Sequence, residues 1–238
     1  MLDATTFFSL KDNRAKAGYG SAWLVKMPGD TKFSLVGLTT EVPYVFGDVE
    51  TIEVDFLQSP VFSQIEGKRR LEQTDVPVAH HRDNDYRFNK IIGVGRTLEF
   101  MSINREYVGY TFTGTVRYKP NNATNDVDMA TVTITPSDAQ ETPIYNARDM
   151  IMPTLYFKSP IPDTIKVGDK IDLSVFDDVS VTVTAKSIEA GTNEETDATS
   201  DVVSTTLAET TINKAGLYAI TVSAEGYASW TTTVYVEN

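Results

Sequence analysis

Strict alternation of apolar and polar side chains runs through most of this chain, and it predicts strands in two separate stretches. From Tyr107 to Lys119, Val108, Tyr110, Phe112, Val116 and Tyr118 share one face with Gly114, opposite Thr111, Thr113, Thr115 and Arg117. A strand of that length, at about 3.3 Å per residue, reaches ~40 Å, so it must bend at a glycine or extend past its own domain. Asn121 and Asn122 interrupt it, and alternation returns at Met129 to Thr135 with Ala130, Val132 and Ile134 inward, before Pro136. These two segments are expected to pair antiparallel across a long turn. Val49 to Leu57 places Ile52, Val54 and Phe56 opposite Glu53 and Asp55, as a strand with one wet face would. Leu98 to Ile103, Phe33 to Leu38 and Ser21 to Lys26 complete the first sheet system.

The second stretch is again all strand. Ile171, Leu173 and Val175 alternate with Lys170, Asp172 and Ser174, and Val179, Val181 and Val183 alternate with Ser180, Thr182 and Thr184. Glu189 to Ser200 reads as a polar loop. Leu217 to Ala224 and Ser229 to Val236 read as a hairpin turning at Glu225 to Tyr227, with Tyr218, Ile220 and Val222 facing one way and Trp230, Val234 and Val236 as the matching stripe. Short strands with frequent turns predict a sandwich.

Only Asp83 to Ile92 has a helical stripe, formed by Phe88, Ile91 and Ile92, with Asp83 as a start cap and Gly93 as a stop. The stretch between Phe56 and Asp83 shows no sustained period and is expected to be a long connection with little structure, ordered against a partner and carrying the basic run Lys68, Arg69 and Arg70. Prolines crowd Pro136 to Pro162, which sets a boundary between domains 1–152 and 153–238.

Composition narrows the function. The net charge is -12 in 238 residues, which disfavours a nucleic-acid reader and favours solubility. The acidity is uneven: from Thr142 onward there are 6 Lys plus Arg against 14 Asp plus Glu. Cysteine is absent, so disulfides, thiolate metal sites and a thiol nucleophile are excluded. Neither an export signal at Met1 to Phe8 nor a run of about 18 apolar residues is found, so export and membrane insertion are not expected.

Catalytic material is sparse. His80 and His81 are the two imidazoles, and as neighbours on extended chain they point apart. With Asp83 and Asp85 they form the one combination that could ligate a metal, but the simpler reading is a solvated entry to the helix. No Walker loop, dinucleotide fingerprint or HExxH is present. Gly93 to Gly95 lacks the flanking strand and helix of a nucleotide site, and Asn121 to Asp128 lacks the spacing of a calcium loop. We expect no enzyme activity, cofactor or metal. Because Glu66, Glu72 and Asp75 surround the basic run, it fits a solvated loop or a salt bridge between subunits better than a DNA site.

Val49 to Asp138 resembles the major tail-tube proteins of long-tailed bacteriophages. The residues that carry the likeness are Val49 to Leu57, His81 to Asn84 leading into the helix, Gly109 to Asn122 (GYTFTGTVRYKPNN) and Ala130 to Pro136 (ATVTITP). Thr164 to Glu237 resembles the bacterial immunoglobulin-like group. The resemblance implies a tail-tube domain of two packed antiparallel sheets, sandwich or barrel-like, with one short helix, followed by an immunoglobulin-like sandwich. It implies homo-hexameric rings that stack into a tube, with DNA passing through the lumen without specific binding; an acidic lumen, our own expectation from the net charge, would discourage adhesion. The protein would be made in the host cytoplasm and reside in the virion tail, with tail terminator, tape measure and distal tail proteins as partners. On that reading Phe56, Lys68, Arg69, Arg70 and Val78 lie on the loop that reaches the adjacent ring. Val108, Tyr110, Phe112, Val116, Tyr118, Val132 and Ile134 lie on the sheet and ring strands. The competing reading from the residues alone is a surface-binding or adhesin module of tandem sandwiches.

Overall fold

The computed structural model describes residues 21–37, 39, 41–54, 63–93, 95–104, 106–120, 129–155, 157–176, 179–204 and 206–238, with backbone alone over 49–54 and 63–68. The described chain is all-β, with several sheets built from antiparallel pairs and one short helical segment. In chain order the first half comprises β1 (Ala22–Lys26), β2 (Ser34–Leu35), β3 (Phe46–Val54), β4 (Ser63–Leu71), β5 (Thr74–Ala79), α1 (Arg82–Tyr86), β6 (Leu98–Ile103), β7 (Gly109–Pro120) and β8 (Met129–Ala139). The helix α1 runs directly into π-helical turns over Arg87–Gly93.

Six of these strands form one open sheet in the order β2-β1-β6-β7-β8-β5, while β3 and β4 pair only with each other. Alternation predicts the centre of the sheet well. Phe100 lies opposite Phe112 and Val116 opposite Ile134, and one apolar face gathers Trp23, Val76, Val78, Phe88, Phe100, Phe112, Val116, Val132 and Ile134. The ring of Phe100 stacks on Phe112 at 5.4 Å, with Trp23 beside Phe100 at 5.7 Å.

The opposite face is also dry. Leu24, Met101 and Ile103 pack there with Phe33, Ala147 and Ile151. The segment around the 3-10 turn Ala147–Met150 therefore covers the sheet instead of running free as a linker, tied down by paired bonds between Gly109 and Ile144 of 3.0 and 2.8 Å.

Two prolines do not behave as the pattern predicted. Pro136 does not end its strand: β8 continues to Ala139, and Pro136 sits opposite Gly114 where the β7–β8 register shifts. A bulge absorbs the extra residue and the missing N–H there. Pro77 lies inside β5 at the sheet edge, the position where a strand accommodates proline. The expected irregular stretch between Phe56 and Asp83 is thus mostly strand in its described part, as β4 and β5.

The second half comprises β9 (Thr164–Lys166), β10 (Lys170–Ile171), β11 (Thr182–Ile188), β12 (Glu195–Asp197), β13 (Val202–Ser204), β14 (Thr210–Ile212), β15 (Gly216–Ser223) and β16 (Trp230–Glu237). A five-stranded sheet, β12-β11-β15-β16-β9, faces a three-stranded sheet, β10-β14-β13. Ile171 and Ile212 from the smaller sheet and Ala185, Tyr218, Ile220, Val234 and Val236 from the larger share one core. The expected hairpin is present as β15–β16, and β9 joins β16 in parallel, which makes the larger sheet mixed. The cores of the two halves share no residue.

Candidate assembly surface

The β3–β4 ribbon forms a two-stranded sheet of its own among the described residues. Each strand has nine residues, about 30 Å at the usual rise. Its base is anchored in the core by Phe46 with Leu71 against it, and Glu72 N–H donates to the Val45 carbonyl at 2.9 Å. Beyond that base, the outer edge of each strand has no neighbouring strand among the described residues. Register shifts between Phe46 and Thr51 bend and twist the ribbon near its root.

The predicted contact residues separate on this frame. Phe56 lies outside the described residues. Lys68, Arg69 and Arg70 are on β4, so the basic run belongs to a strand and not to a loop. Arg69 forms a 3.1 Å ion pair with Glu141 of the same chain. Val78 is at 0% exposure on β5, inside the first core, and is no part of a reaching loop.

The predicted sheet residues lie as follows. Val108 precedes β7, with its N–H donating to Asn104 Oδ1 at 3.0 Å in the tight turn where Tyr107 adopts φ 61°. Phe112, Val116, Val132 and Ile134 are buried. Tyr118 is half-buried, stacked on Phe88 at 5.4 Å with its hydroxyl donating to Asp85. Burial, then that carboxylate, pushes the Tyr118 phenol far above its ordinary value.

Tyr110 belongs to an aromatic cluster at the ribbon root that the alternation pattern missed. Tyr44, 58% exposed, lies 5.4 Å from Phe46 and 6.3 Å from Tyr110, and Phe46 lies 5.6 Å from Tyr110. Only the two-residue spacing of Tyr44 and Phe46 at the entry to β3 could have signalled it.

The two histidines part company, as adjacent residues on extended chain must. His80 Nε2 lies 3.2 Å from Asp85, while His81 Nε2 lies 3.1 Å from Asp163, and His81 Nδ1 accepts from Asp83 N–H at 3.3 Å. The start cap of α1 is therefore His81 and not Asp83. Gly93, at φ 81°, ends the segment as expected. Among the described residues no group of three His, Cys, Asp or Glu side chains could hold a metal ion, and no helix is long and apolar enough to cross a membrane.

Compared with known proteins, the chain matches no family model and no curated protein.

Proposed function

We propose that the chain is a self-assembling structural subunit, and that copies of it form hexameric rings which stack into a tube of the phage tail-tube kind. The observation that carries this reading is the β3–β4 ribbon. Two strands without further neighbours are marginally stable in water, and an unpaired strand edge presents a row of backbone donors and acceptors that invites another strand. A neighbouring copy would satisfy both requirements. Stacking of rings is head-to-tail and does not close, so it yields a filament.

In this proposal the N-terminal half, residues 1–152, is the tube-forming domain and the C-terminal half, 153–238, is an immunoglobulin-like domain carried with it. The resemblance supports the assignment, because its described residues Gly109–Pro120 and Ala130 to Pro136 lie on β7 and β8, the two strands around which the main sheet is built. The residues before Thr142 carry 15 Lys plus Arg against 19 Asp plus Glu, a net charge of -4, and that sign suits a conduit through which DNA moves without adhering.

The test is negative-stain microscopy of the purified chain beside a variant in which residues 51–66 are replaced by an Asn-Gly turn. Wild type is expected to form rings or tubes, and the shortened variant to stay a folded monomer with unchanged near-UV circular dichroism. A wild-type chain that remains monomeric at high concentration, or a shortened variant that assembles as well as wild type, overturns the proposal.

A further inference from the structure

We propose that the segment Arg82–Gly93 is a coupling element that fixes the C-terminal half against the N-terminal sheet, so that the two halves hold one orientation and lose their packing in one transition.

One side of this segment belongs to the N-terminal half. Phe88 and Ile92 are fully buried in its core, Asn84 Nδ2 donates to the Ala79 carbonyl at 2.8 Å, and Arg87 donates to the carbonyls of Leu35 and Val36. The other side belongs to the C-terminal half at three separated points.

The first point is Asp83. In the larger C-terminal sheet, β9 pairs with β16 over Tyr235–Glu237, so among the described residues the edge of β16 before Tyr235 has no neighbouring strand. The Asp83 carboxylate occupies that edge. It accepts from Thr233 N–H at 2.6 Å, Thr233 Oγ1 at 2.8 Å and Thr232 Oγ1 at 3.1 Å. Asp163 continues the same edge, its carbonyl accepting from Tyr235 N–H at 2.9 Å and from Arg82 Nη1 at 3.0 Å. Bonds to a charged acceptor are roughly twice as strong as neutral ones.

The second point is Arg87, whose guanidinium carbon lies 5.2 Å from the centroid of the Trp230 ring. Burial pulls its pKa down to about 10, and the ring face offsets part of that desolvation. The third is Lys90, whose Nζ donates to the Asn193 carbonyl at 2.9 Å and lies 4.0 Å from Glu195. Tyr86 faces the same carboxylate; its phenol is pushed up to about 12 by burial first and by Glu195 second.

Three tethers at different heights on one short segment oppose rotation about any one of them. The segment is also π-helical over Arg87–Gly93, a rare geometry that tends to mark functional positions.

Because the chain has no cysteine, Lys32→Cys and Lys214→Cys, both on exposed positions, place one spin label on each half of the full-length protein. A single narrow distance distribution and one calorimetric transition are expected. Asp83→Ala should broaden the distribution and speed exchange of the Thr233 amide ~10–100-fold, the range expected for losing a charge-assisted bond. Thr232→Val with Thr233→Val approaches the joint from the opposite side and should broaden the distribution too, which keeps the test decisive if Asp83→Ala does not fold. A broad distribution or two transitions in the parent protein overturns the proposal, as does a folded joint variant that leaves distances and exchange unchanged. Diluting the doubly labelled chain into an excess of unlabelled chain keeps distances between copies out of the distribution, so the outcome is the same whether or not the chain assembles.

Discussion

Replacing Gly114 by alanine tests the bulge on which the main sheet is registered. A Cβ built at Gly114 meets the Thr135 carbonyl oxygen at 2.7 Å, Pro136 Cα at 3.0 Å and the Thr135 carbonyl carbon at 3.2 Å. All three are backbone atoms of the partner strand, and Pro136 cannot re-aim a ladder bond to make room. Overpacking of this kind costs about 1–3 kcal/mol, against which the reduced freedom of the unfolded chain returns about 0.4–1 kcal/mol. A net loss of about 1–2 kcal/mol is expected, which at this chain length lowers Tm by roughly 2–8 °C. Urea unfolding followed by tryptophan fluorescence should show a lower midpoint with an unchanged slope.

Gly47→Ala is the control. Its Cβ meets the Glu72 carboxylate at a nominally shorter 2.5 Å, but Glu72 is an exposed side chain that can swing away. It should cost less than about 0.5 kcal/mol, as most surface changes do. If Gly114→Ala is as stable as wild type, or Gly47→Ala is the worse of the two, the β7–β8 pairing at Pro136 is wrong.

Arg87→Met should lose about 2–4 kcal/mol, because the Leu35 and Val36 carbonyls lose their donor in a buried site. Arg87→Lys should not restore the loss in the same urea assay, since one ammonium cannot serve both carbonyls and also cover the Trp230 ring as a planar fork does. Stability should also fall at high pH. The phenols of Tyr86 and Tyr218 are pushed up to about 12, in each case by burial first. A raised phenol pKa contributes stability that is complete below the unfolded value of about 10 and is lost as pH climbs through the folded one. The urea midpoint should therefore decline from about pH 10 upward in step with phenolate absorbance. Flat stability across that range would show these hydroxyls to be solvated.

The strands that could be read along the chain are those whose pattern is purely local. Val116 to Tyr118, Val132 to Ile134 and Tyr218 to Val222 alternate because one side meets a core, and a period of two needs no knowledge of what that core is. Where a strand is buried on both faces, as β6 is with Leu98 and Phe100 on one side and Met101 and Ile103 on the other, alternation gives only half the answer.

Prolines misled for a related reason. Thr74, Val76 and Val78 alternate with Asp75, Pro77 and Ala79, yet Pro77 argues against a strand unless the strand is known to lie at an edge. Edge position is a property of the assembled sheet, and the same holds for Pro136 at its bulge. The basic run at Lys68 to Arg70 gave its charge from the sequence but not its place on a ribbon, because Gly67 and three consecutive cations hide the period.

The sequence alone determined the class of architecture, the absence of thiol chemistry, the acidity and the position of the helical segment around Phe88, all of which depend on residue type and near-neighbour spacing. Only the tertiary structure decided which edges stay open and which carboxylate closes which strand. Asp83 and Thr233 are 150 residues apart, and nothing in the local pattern around either one encodes the other; their meeting is a consequence of how α1 packs against β16 in the folded chain.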